Sequence, residues 1–434
     1  MSDKCDVVVI GGGPAGLTSA WKLAESGLKV ILIETKKTAY RYKRPCCAMV
    51  ILEPEFHGEL VATQKGSIIF RKNDFSIPYE GEFNDLNRSV KFSASGYKFL
   101  VSKKSGYPLA RTINKEALLK TLYHKGLNAG VEMREGETAV NIENLKDGVE
   151  VIVRRNSKLY SLNASYAVAA DGVNSTMIAA LGLNLGRKHL YQTRVIGYEF
   201  EDVDSPFSDS FMQFKGKVYG ASGAITVTPK PLLEEGKLVY EVSIGPDSKK
   251  GETAEGLLKN FLSKEFVAPW FKHARLSATI GCMWHLYEPL SNPVCGRVVL
   301  AGDGPSFQEV ENQGAMMCGY KASEAIRAEM EGKSGFDEYR EFWQKSFEFN
   351  DPKVLYETAR GFGLRNFGDE ELDFLFSMVD NEVLDGTINH FKVGNTMLAE
   401  FEKRFDYIKK KRPDIAEKLS KFINPEQKIE KFFW

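Results

Sequence analysis

The 434-residue sequence has few cysteines and no long hydrophobic run. Its six cysteines are scattered and none forms a CxxC pair, which argues against a disulfide framework, a zinc ribbon and a thioredoxin-type redox site. The six histidines show no metal-ligand spacing, so we expect no metal site. No stretch approaches the ~18 apolar residues of a membrane span, and the first residues do not resemble a cleavable signal peptide. These absences predict a soluble, cytoplasmic protein.

The sequence also has no excess of positive over negative charge, or of negative over positive charge. Lys and Arg total 58 and Asp and Glu total 58, so the net charge is zero and no nucleic-acid partner is expected. No internal repeat or low-complexity tract is visible. The length suggests two or three domains with an ordinary globular composition.

A glycine-rich turn at residues 11–16 has the pattern GxGxxG. It lies between an apolar run, Val7–Ile10, and an apolar-periodic helix. In this motif Gly11 allows the tight turn, Gly13 lets the backbone approach a pyrophosphate, and Gly16 lets helix and strand pack closely. The helix N-terminus then offers N–H groups and partial positive charge to phosphates, so a dinucleotide site is predicted.

Three acidic residues follow predicted strands and refine this prediction. Glu34 ends the second strand, where a carboxylate accepts hydrogen bonds from a ribose diol. A glycine-rich turn with a solvated glutamate is the alternative, but the strand–turn–helix–strand order favours the nucleotide. Asp171 and the Gly302-Asp303 pair each follow a further buried run, at the sheet edge that lies over the cofactor. Either motif alone also fits a loop turn or a helix cap, whereas the ordered set favours FAD over NAD.

The patterning predicts an α/β (α+β) fold with two interleaved domains and a helical C-terminal region. Continuous apolar runs indicate strands of a sheet buried on both faces, and alternating segments rich in Thr, Val and Tyr indicate an antiparallel sheet. We therefore predict a discontinuous Rossmann-type FAD-binding domain, which comprises residues 1–65, 101–185 and 285–335. An antiparallel-sheet substrate domain comprises residues 66–100 and 186–284. A helical appendage comprises residues 336–434.

Together these motifs resemble the FAD-dependent p-hydroxybenzoate hydroxylase-like superfamily. Within it the chain is most similar to the geranylgeranyl reductase family. That similarity depends on the KRPCCA segment at residues 43–48 and on the GxxAxEAI pattern at residues 319–326. It extends over about residues 1–330 and implies an FAD-dependent oxidoreductase that acts on a hydrophobic small molecule.

The resemblance also implies cofactor contacts, residue by residue. The adenosine end would meet Ala15, Glu34 and Ala139, and the ribityl chain would meet Asp303. The flavin and its surroundings would be contacted by Pro45, Cys46, Ala48, Arg111, Gly314 and Ala315.

Three departures from the family pattern concern the substrate. Cys47 occupies the position where the family usually has glycine, and an acidic segment at residues 304–314 replaces small residues. The family's aromatic-Pro segment is poorly matched by Ala224–Pro229. No second GxGxxG is present, so the electron donor, NAD(P)H or ferredoxin, stays open.

Cys46 and Cys47 are the catalytic candidates, because reduction of an alkene by hydride also needs a proton. The alternatives are a pair of structural cysteines or a strained vicinal disulfide. Glu309 and Glu311 would favour a substrate amine or hydroxyl, or else form a solvated turn. His285 would face the substrate cavity or be structural.

The function predicted from these residues is reduction of carbon–carbon double bonds in a prenyl or similarly hydrophobic chain, with hydride from flavin N5. The alternative is an aromatic-ring monooxygenase that uses a flavin C4a-hydroperoxide. A non-enzymatic FAD-bound scaffold is a third interpretation.

The last hundred residues reverse their charge. Residues 336–400 carry 14 acids and 6 bases, whereas residues 401–434 carry 10 bases and 6 acids and end in Phe432, Phe433 and Trp434. Peripheral membrane contact through this tail is one interpretation. Docking of its apolar residues onto the body is the other.

Overall fold

The computed structural model describes residues 3–42, 44–220 and 224–423. Lys43 lies outside the described residues, and so do Phe432, Phe433 and Trp434. The strands are β1 (Asp3–Ile10), β2 (Val30–Glu34), β3 (Met49–Ile51), β4 (Val61–Gln64), β5 (Gly66–Phe70), β6 (Phe75–Tyr79), β7 (Phe83–Leu86), β8 (Arg88–Phe92), β9 (Lys98–Ser102), β10 (Ala110–Ile113), β11 (Glu132–Glu135), β12 (Thr138–Leu145), β13 (Gly148–Arg155), β14 (Lys158–Ala169), β15 (His189–Glu201), β16 (Ser210–Lys215), β17 (Ala224–Pro231), β18 (Leu238–Ile244), β19 (Arg275–Tyr287), β20 (Val294–Cys295), β21 (Val298–Leu300) and β22 (Val383–Asp385). The helices are α1 (Pro14–Glu25), α2 (Lys115–Asn128), α3 (Thr176–Ala180), α4 (Ala254–Leu262), α5 (Glu311–Met330), α6 (Gly335–Ser346), α7 (Pro352–Gly361), α8 (Asp369–Ser377), α9 (Val393–Glu402), α10 (Phe405–Lys411) and α11 (Pro413–Ile423).

The nucleotide sheet has the order β11-β2-β1-β14-β13-β12, with β21 paired to β14 and β20 to β21. Strands β11, β2, β1, β14 and β21 run parallel. All five residues of β2 are buried, because the sheet is covered on both faces, as the continuous apolar run predicts. Helix α1 packs between this sheet and helices α2 and α5. The α/β fold with a Rossmann-type nucleotide sheet is confirmed.

The second sheet has the order β19-β15-β18-β17-β16-β8-β9-β22. It is mainly antiparallel, with parallel pairing at β16–β8 and β22–β9. Its side chains alternate between two faces. One face, which includes Phe92, Phe214 and Val242, forms an apolar core with α4. The opposite face carries the polar residues of the same strands and is turned toward the site.

Residues 66–100, predicted to belong to the substrate domain, are divided among three sheets. Strands β5 and β6 form a small antiparallel sheet with β4, β7 pairs with β10 beside β3, and β8 and β9 join the second sheet. The periodicity of such short strands predicts that they exist but carries no information about which partner they take. The predicted domain boundaries stay a prediction.

The C-terminal region is helical, as predicted, except that β22 adds to the edge of the second sheet beside β9. The apolar residues at helical spacing in the tail pack into the main core, where Phe401, Ile408 and Leu419 are fully buried. Residues 401–423 therefore dock onto the body of the protein, which was one of the two interpretations of the tail. Within the described ranges, no helix combines the length and the apolar character of a membrane span.

Candidate active site

The glycine-rich turn is shaped by the chain's own packing at two of the three glycines of the GxGxxG motif. A Cβ on Gly11, whose φ is 104°, would lie 2.3 Å from the Ala170 carbonyl oxygen, and one on Gly16 would lie 1.8 Å from the Gly11 oxygen. A Cβ on Gly13 would meet nothing within 4 Å. Only Gly13 therefore leaves open space where a ligand can approach the backbone.

Helix α1 starts at this turn with an uncapped N-terminus. Its N-cap, Gly13, provides no side-chain hydrogen bond, and the first turn contains Pro14 but no acidic residue. The N–H groups and the partial positive charge of the helix are thus available to an anion. This is the arrangement that a pyrophosphate requires.

Glu34 lies directly behind the turn, 8% exposed. Its carboxylate accepts hydrogen bonds from the Gly12 N–H at 2.6 Å and the Lys36 N–H at 2.7 Å. Two carboxylate oxygens accept about four hydrogen bonds, so acceptor capacity is left for a ribose diol.

A cavity of about 350 Å³, the nucleotide cavity, opens in front of the turn. It lies between the start of α1, the loop after β2, the loop after β21 and the first turns of α5. The structure brings together here seven of the predicted cofactor residues, namely Gly13, Ala15, Pro45, Cys46, Gly302, Asp303 and Ala315. The Arg44 guanidinium approaches the Asp303 carboxylate at 3.9 Å on the cavity wall.

Other predicted cofactor residues do not line this cavity. Asp171 caps α3, accepting from the Ser175 hydroxyl at 2.6 Å and the Met177 N–H at 3.1 Å. Arg111 pairs with Asp85 at 2.6 Å in the β3-β10-β7 sheet. Gly11 is half-buried in the turn itself. The remaining ones are buried: Gly16, Glu34, Ala48, Ala139 and Gly314.

Several cavity residues were not predicted. Lys115, the first residue of α2, and Gly281 and Cys282, in the middle of β19, line the nucleotide cavity. No local motif marks them, because strand pairing and helix packing alone bring them there. Asn312 also lines it, and only its proximity to the Gly302-Asp303 motif could have pointed to it.

Cys46 is held in a polar setting at the cavity wall. Its Sγ lies 3.1 Å from Lys115 Nζ and accepts from the Ala48 N–H at 3.3 Å. Its backbone N–H donates to Glu241 at 3.0 Å. Cys46 and Cys47 are both free thiols, so a vicinal disulfide is not present. Burial, together with nearby Glu311, raises the pKa of Cys47 and keeps it a protonated thiol.

A buried ion-pair network fixes Glu241, the residue that accepts the hydrogen bond from the Cys46 backbone N–H. Lys230 Nζ lies 2.8 Å from both Glu241 and Glu199 and 2.9 Å from the Tyr42 hydroxyl. Glu199 of β15 and Glu241 of β18 lie directly opposite each other on neighbouring strands of the second sheet. The paired charges satisfy one another, so the backbone position of Cys46 is set by the second sheet.

Glu309 and Glu311 line the cavity and do not form a solvated turn. Burial and the charge of Asp303 raise the pKa of Glu309 to about 7. Burial and the charge of Glu309 raise the pKa of Glu311. The site therefore holds carboxyl groups that carry protons near neutral pH. His285, by contrast, lies beside His189 with 3.3 Å between ring nitrogens and does not line the cavities.

Two further cavities continue from the first. The middle cavity, about 300 Å³, shares Arg44, Pro45, Cys46, Cys282, Glu309 and Glu311 with the nucleotide cavity. The inner cavity, about 270 Å³, lies beyond it between the second sheet and helices α7, α8 and α9. Lys91, Trp284 and His390 border both the middle and the inner cavity. The three cavities therefore adjoin one another, with shared walls, from the glycine-rich turn to the C-terminal helices.

Comparisons with known proteins agree with this geometry. Residues 63–304 match the family model of the FAD binding domain, and residues 5–107 match that of the pyridine nucleotide-disulphide oxidoreductases. The chain is 26% identical over 404 residues to the digeranylgeranylglycerophospholipid reductase of Methanocaldococcus jannaschii, covering 89% of this chain and 93% of that protein. It is also 26% identical to the reductase of the same name from Methanococcus vannielii, covering 86% and 90%.

Solved structures share the fold. A geranylgeranyl bacteriochlorophyll reductase-like protein of Thermoplasma acidophilum superposes with a TM-score of 0.67 at 19% identity, covering 97% of this chain and all of that one. The p-nitrophenol 4-monooxygenase of Pseudomonas putida has a TM-score of 0.61 at 18% identity, covering 93% and 98%. The open backbone at Gly13 and the uncapped α1 fit FAD. The chain belongs to the FAD-binding-domain family and is an FAD-dependent oxidoreductase that is similar to geranylgeranyl-type reductases.

Proposed function

We propose that this protein saturates carbon–carbon double bonds in a prenyl or similarly hydrophobic chain. The observation that carries the proposal is the row of three adjoining cavities, from the nucleotide cavity, past Cys46, to an inner cavity roofed by helices. Apolar side chains of the C-terminal region line that roof, including Leu372, Phe376 and Met397. A long apolar chain lying along this path presents its double bonds near Cys46.

The reaction adds one hydride equivalent and one proton to each double bond. When bound and reduced, FAD would supply the hydride from N5 to one alkene carbon, with NAD(P)H or ferredoxin as the source of its electrons. The other alkene carbon would take a proton from the protein. The chain's own tasks are to hold the substrate, exclude water and provide the proton.

Cys46 is the proposed proton donor. Its Sγ borders both the nucleotide cavity and the middle cavity. Lys115 Nζ, at 3.1 Å, returns a proton to the thiolate after transfer and stabilises its charge meanwhile. Cys47, whose raised pKa keeps it protonated, lines only the middle cavity and is the second candidate.

An anaerobic experiment tests the function. The flavin of the holoenzyme is photoreduced without oxygen and geranylgeraniol is added, with its fully saturated analogue as control. We expect reoxidation of the flavin by the alkene alone, and a product heavier by two hydrogens per turnover in mass spectrometry. Absence of reoxidation, together with NAD(P)H-linked oxygen uptake stimulated by a phenol, would establish the monooxygenase reaction instead. The likeness to a monooxygenase supports only the shared fold.

Peripheral membrane contact through residues 401–434 is part of the proposal, because a lipid substrate resides in a bilayer. Lys409, Lys410 and Lys411 form a basic, exposed turn on α10, which suits anionic headgroups. Sedimentation with anionic liposomes should be lost when these three lysines become glutamine. Unchanged sedimentation of that variant would contradict this part of the proposal.

A further inference from the structure

One arginine binds three backbone carbonyl groups close to the nucleotide cavity. Arg187 lies between α3 and β15, and its guanidinium donates to the oxygens of Gly304 at 2.9 Å and Ser306 at 2.8 Å. A third N–H donates to the oxygen of Glu288, directly after β19. Because a guanidinium offers five N–H donors in a planar fork, it can hold several carbonyl groups in one fixed geometry.

The guanidinium of Arg187 is half-buried and charged. Its central carbon lies 5.0 Å from the ring centroid of Tyr287. Burial lowers the pKa of Arg187 to about 10, so the group still carries its charge at neutral pH. Hydrogen bonds from a charged donor are roughly twice as strong as those between neutral groups. The three carbonyl groups are therefore held firmly by one side chain.

Two of the three carbonyl groups belong to the cofactor loop, which we define as residues 302–310, between β21 and α5. Near its start Asp303 lines the nucleotide cavity, and near its end Glu309 lines both the nucleotide and the middle cavity. Within the loop, the Ser306 hydroxyl donates to the Asp303 backbone oxygen at 3.0 Å. The backbone geometry that Arg187 fixes at the centre of the loop therefore reaches the carboxyl groups on either side.

The third carbonyl group lies at the crossover, which we define as the adjacent ends of β15 and β19 where the chain passes between the two sheets. There the Glu288 N–H donates to the Lys188 oxygen at 3.0 Å. His189 of β15 lies opposite Tyr287 of β19. Arg187 thus joins the cofactor loop to the crossover, although it lines none of the three cavities.

We propose that Arg187 is a positioning residue that couples FAD binding to the placement of the second sheet. It acts through the backbone of the cofactor loop, which presents Asp303 to the nucleotide cavity. Without the guanidinium, the loop loses its charged link to the crossover, and the two can move relative to each other. Because such coupling is reciprocal, filling the nucleotide cavity also holds the crossover in place. The inference goes beyond the proposed alkene reduction and does not depend on it.

FAD affinity tests the coupling without turnover. The holoenzyme is diluted and released FAD is followed by flavin fluorescence, which yields a Kd for the wild type and each variant. We expect Arg187→Met to raise the Kd about tenfold or more. Arg187→Lys, which keeps the charge but loses the planar fork, should give an intermediate value. Arg194→Met removes an exposed arginine of β15 and is the matched control, with a Kd within about twofold of the wild type.

Amide hydrogen exchange separates positioning from a merely structural role. In the wild type, FAD should slow exchange at residues 188–190 and 286–288 of the crossover, which line none of the cavities. In Arg187→Met this protection should be lost, while the flavin-free variant melts at the same temperature as the flavin-free wild type.

Two results would overturn the proposal. One is an unchanged Kd for FAD in Arg187→Met. The other is a weaker affinity accompanied by a lower melting temperature of the flavin-free variant, with FAD still protecting the crossover, because that combination identifies a structural role. If the methionine variant does not fold, the lysine variant decides by the same criteria.

Discussion

At the scale of single residues, the site combines a thiol with a cation and a set of protonated carboxyl groups. Cys46 has both its Sγ and its backbone N–H held by other parts of the fold. Glu309 carries a proton near pH 7 because it is buried beside Asp303. The family resemblance predicts Cys46 near the flavin, and the tertiary structure adds which groups surround its thiol.

Replacing Cys46 with serine should slow anaerobic flavin reoxidation by about 100-fold, the lower end of general acid catalysis. Serine keeps the shape but does not release a proton at neutral pH. FAD binding, measured by flavin fluorescence, should be unchanged. Cys295→Ser, a half-buried cysteine that does not line the cavities, is the control. Full turnover of the Cys46→Ser enzyme would exclude the thiol as donor.

Glu309 makes stability depend on pH. Its pKa is about 7 in the folded protein, above the ordinary glutamate value of 4.5, so between these pH values the folded state holds a proton that the unfolded chain releases. Its contribution is complete below pH 4.5 and is lost as pH rises through 7. Glu309→Gln should therefore be more stable than the wild type at pH 8, by about 1–3 kcal/mol, and equal to it below pH 4.5. Urea unfolding of the flavin-free protein across this range, with exposed Glu402→Gln as control, measures the difference. A constant difference at all pH values would contradict the assignment.

At the scale of elements, two helices meet at the nucleotide site through small residues. Gly319 of α5 lies so near α1 that a Cβ there would be 2.2 Å from the Ala15 carbonyl oxygen. The start of α5 is anchored separately, because the Gln313 side chain accepts from the Ile51 N–H at 2.6 Å and donates to the Ile51 oxygen at 3.1 Å. The GxxAxEAI pattern thus has a packing reason in this chain.

Gly319→Ala should force α1 and α5 apart. We expect a loss of about 1–3 kcal/mol in unfolding free energy from the overpacking, and weaker FAD binding because Ala15 moves. Thermal melting and flavin retention measure both effects. Gly186→Ala, where a Cβ would meet nothing within 4 Å, should be neutral. A Gly319→Ala protein with wild-type melting would show that the helices have room to separate.

At the scale of the whole molecule, the C-terminal helices are part of the main body. Their apolar residues join the same core as the nucleotide sheet and α1, and β22 extends the second sheet. Glu53, in the loop after β3, receives a hydrogen bond from Lys392 at 2.6 Å. The inner cavity exists only because these helices close it.

Leu419→Ala should accordingly destabilise the whole protein and not only its C-terminal end. Leu419 is fully buried, and a Leu→Ala cavity costs about 2–5 kcal/mol. Calorimetry should show one transition at lower temperature, with flavin released in the same step. Leu185→Ala, at a side chain 93% exposed, should shift the transition little. A separate low-temperature transition that leaves flavin bound would mean that the helices unfold independently.

Local features that depend on neighbours along the chain can be predicted from the amino-acid sequence alone. The glycine turn, its strand and helix, the acidic residues after strands and the helical C-terminal region follow from spacing and periodicity, because these are short-range effects. Which distant residues come into contact depends on the three-dimensional packing. It placed Lys115 beside Cys46, paired Arg111 with Asp85 away from the nucleotide cavity, and set Lys91 opposite Gln213 through the register of β8 and β16. Such contacts join segments far apart in sequence, and their partners are set by strand pairing and core packing, which leave no local pattern to read.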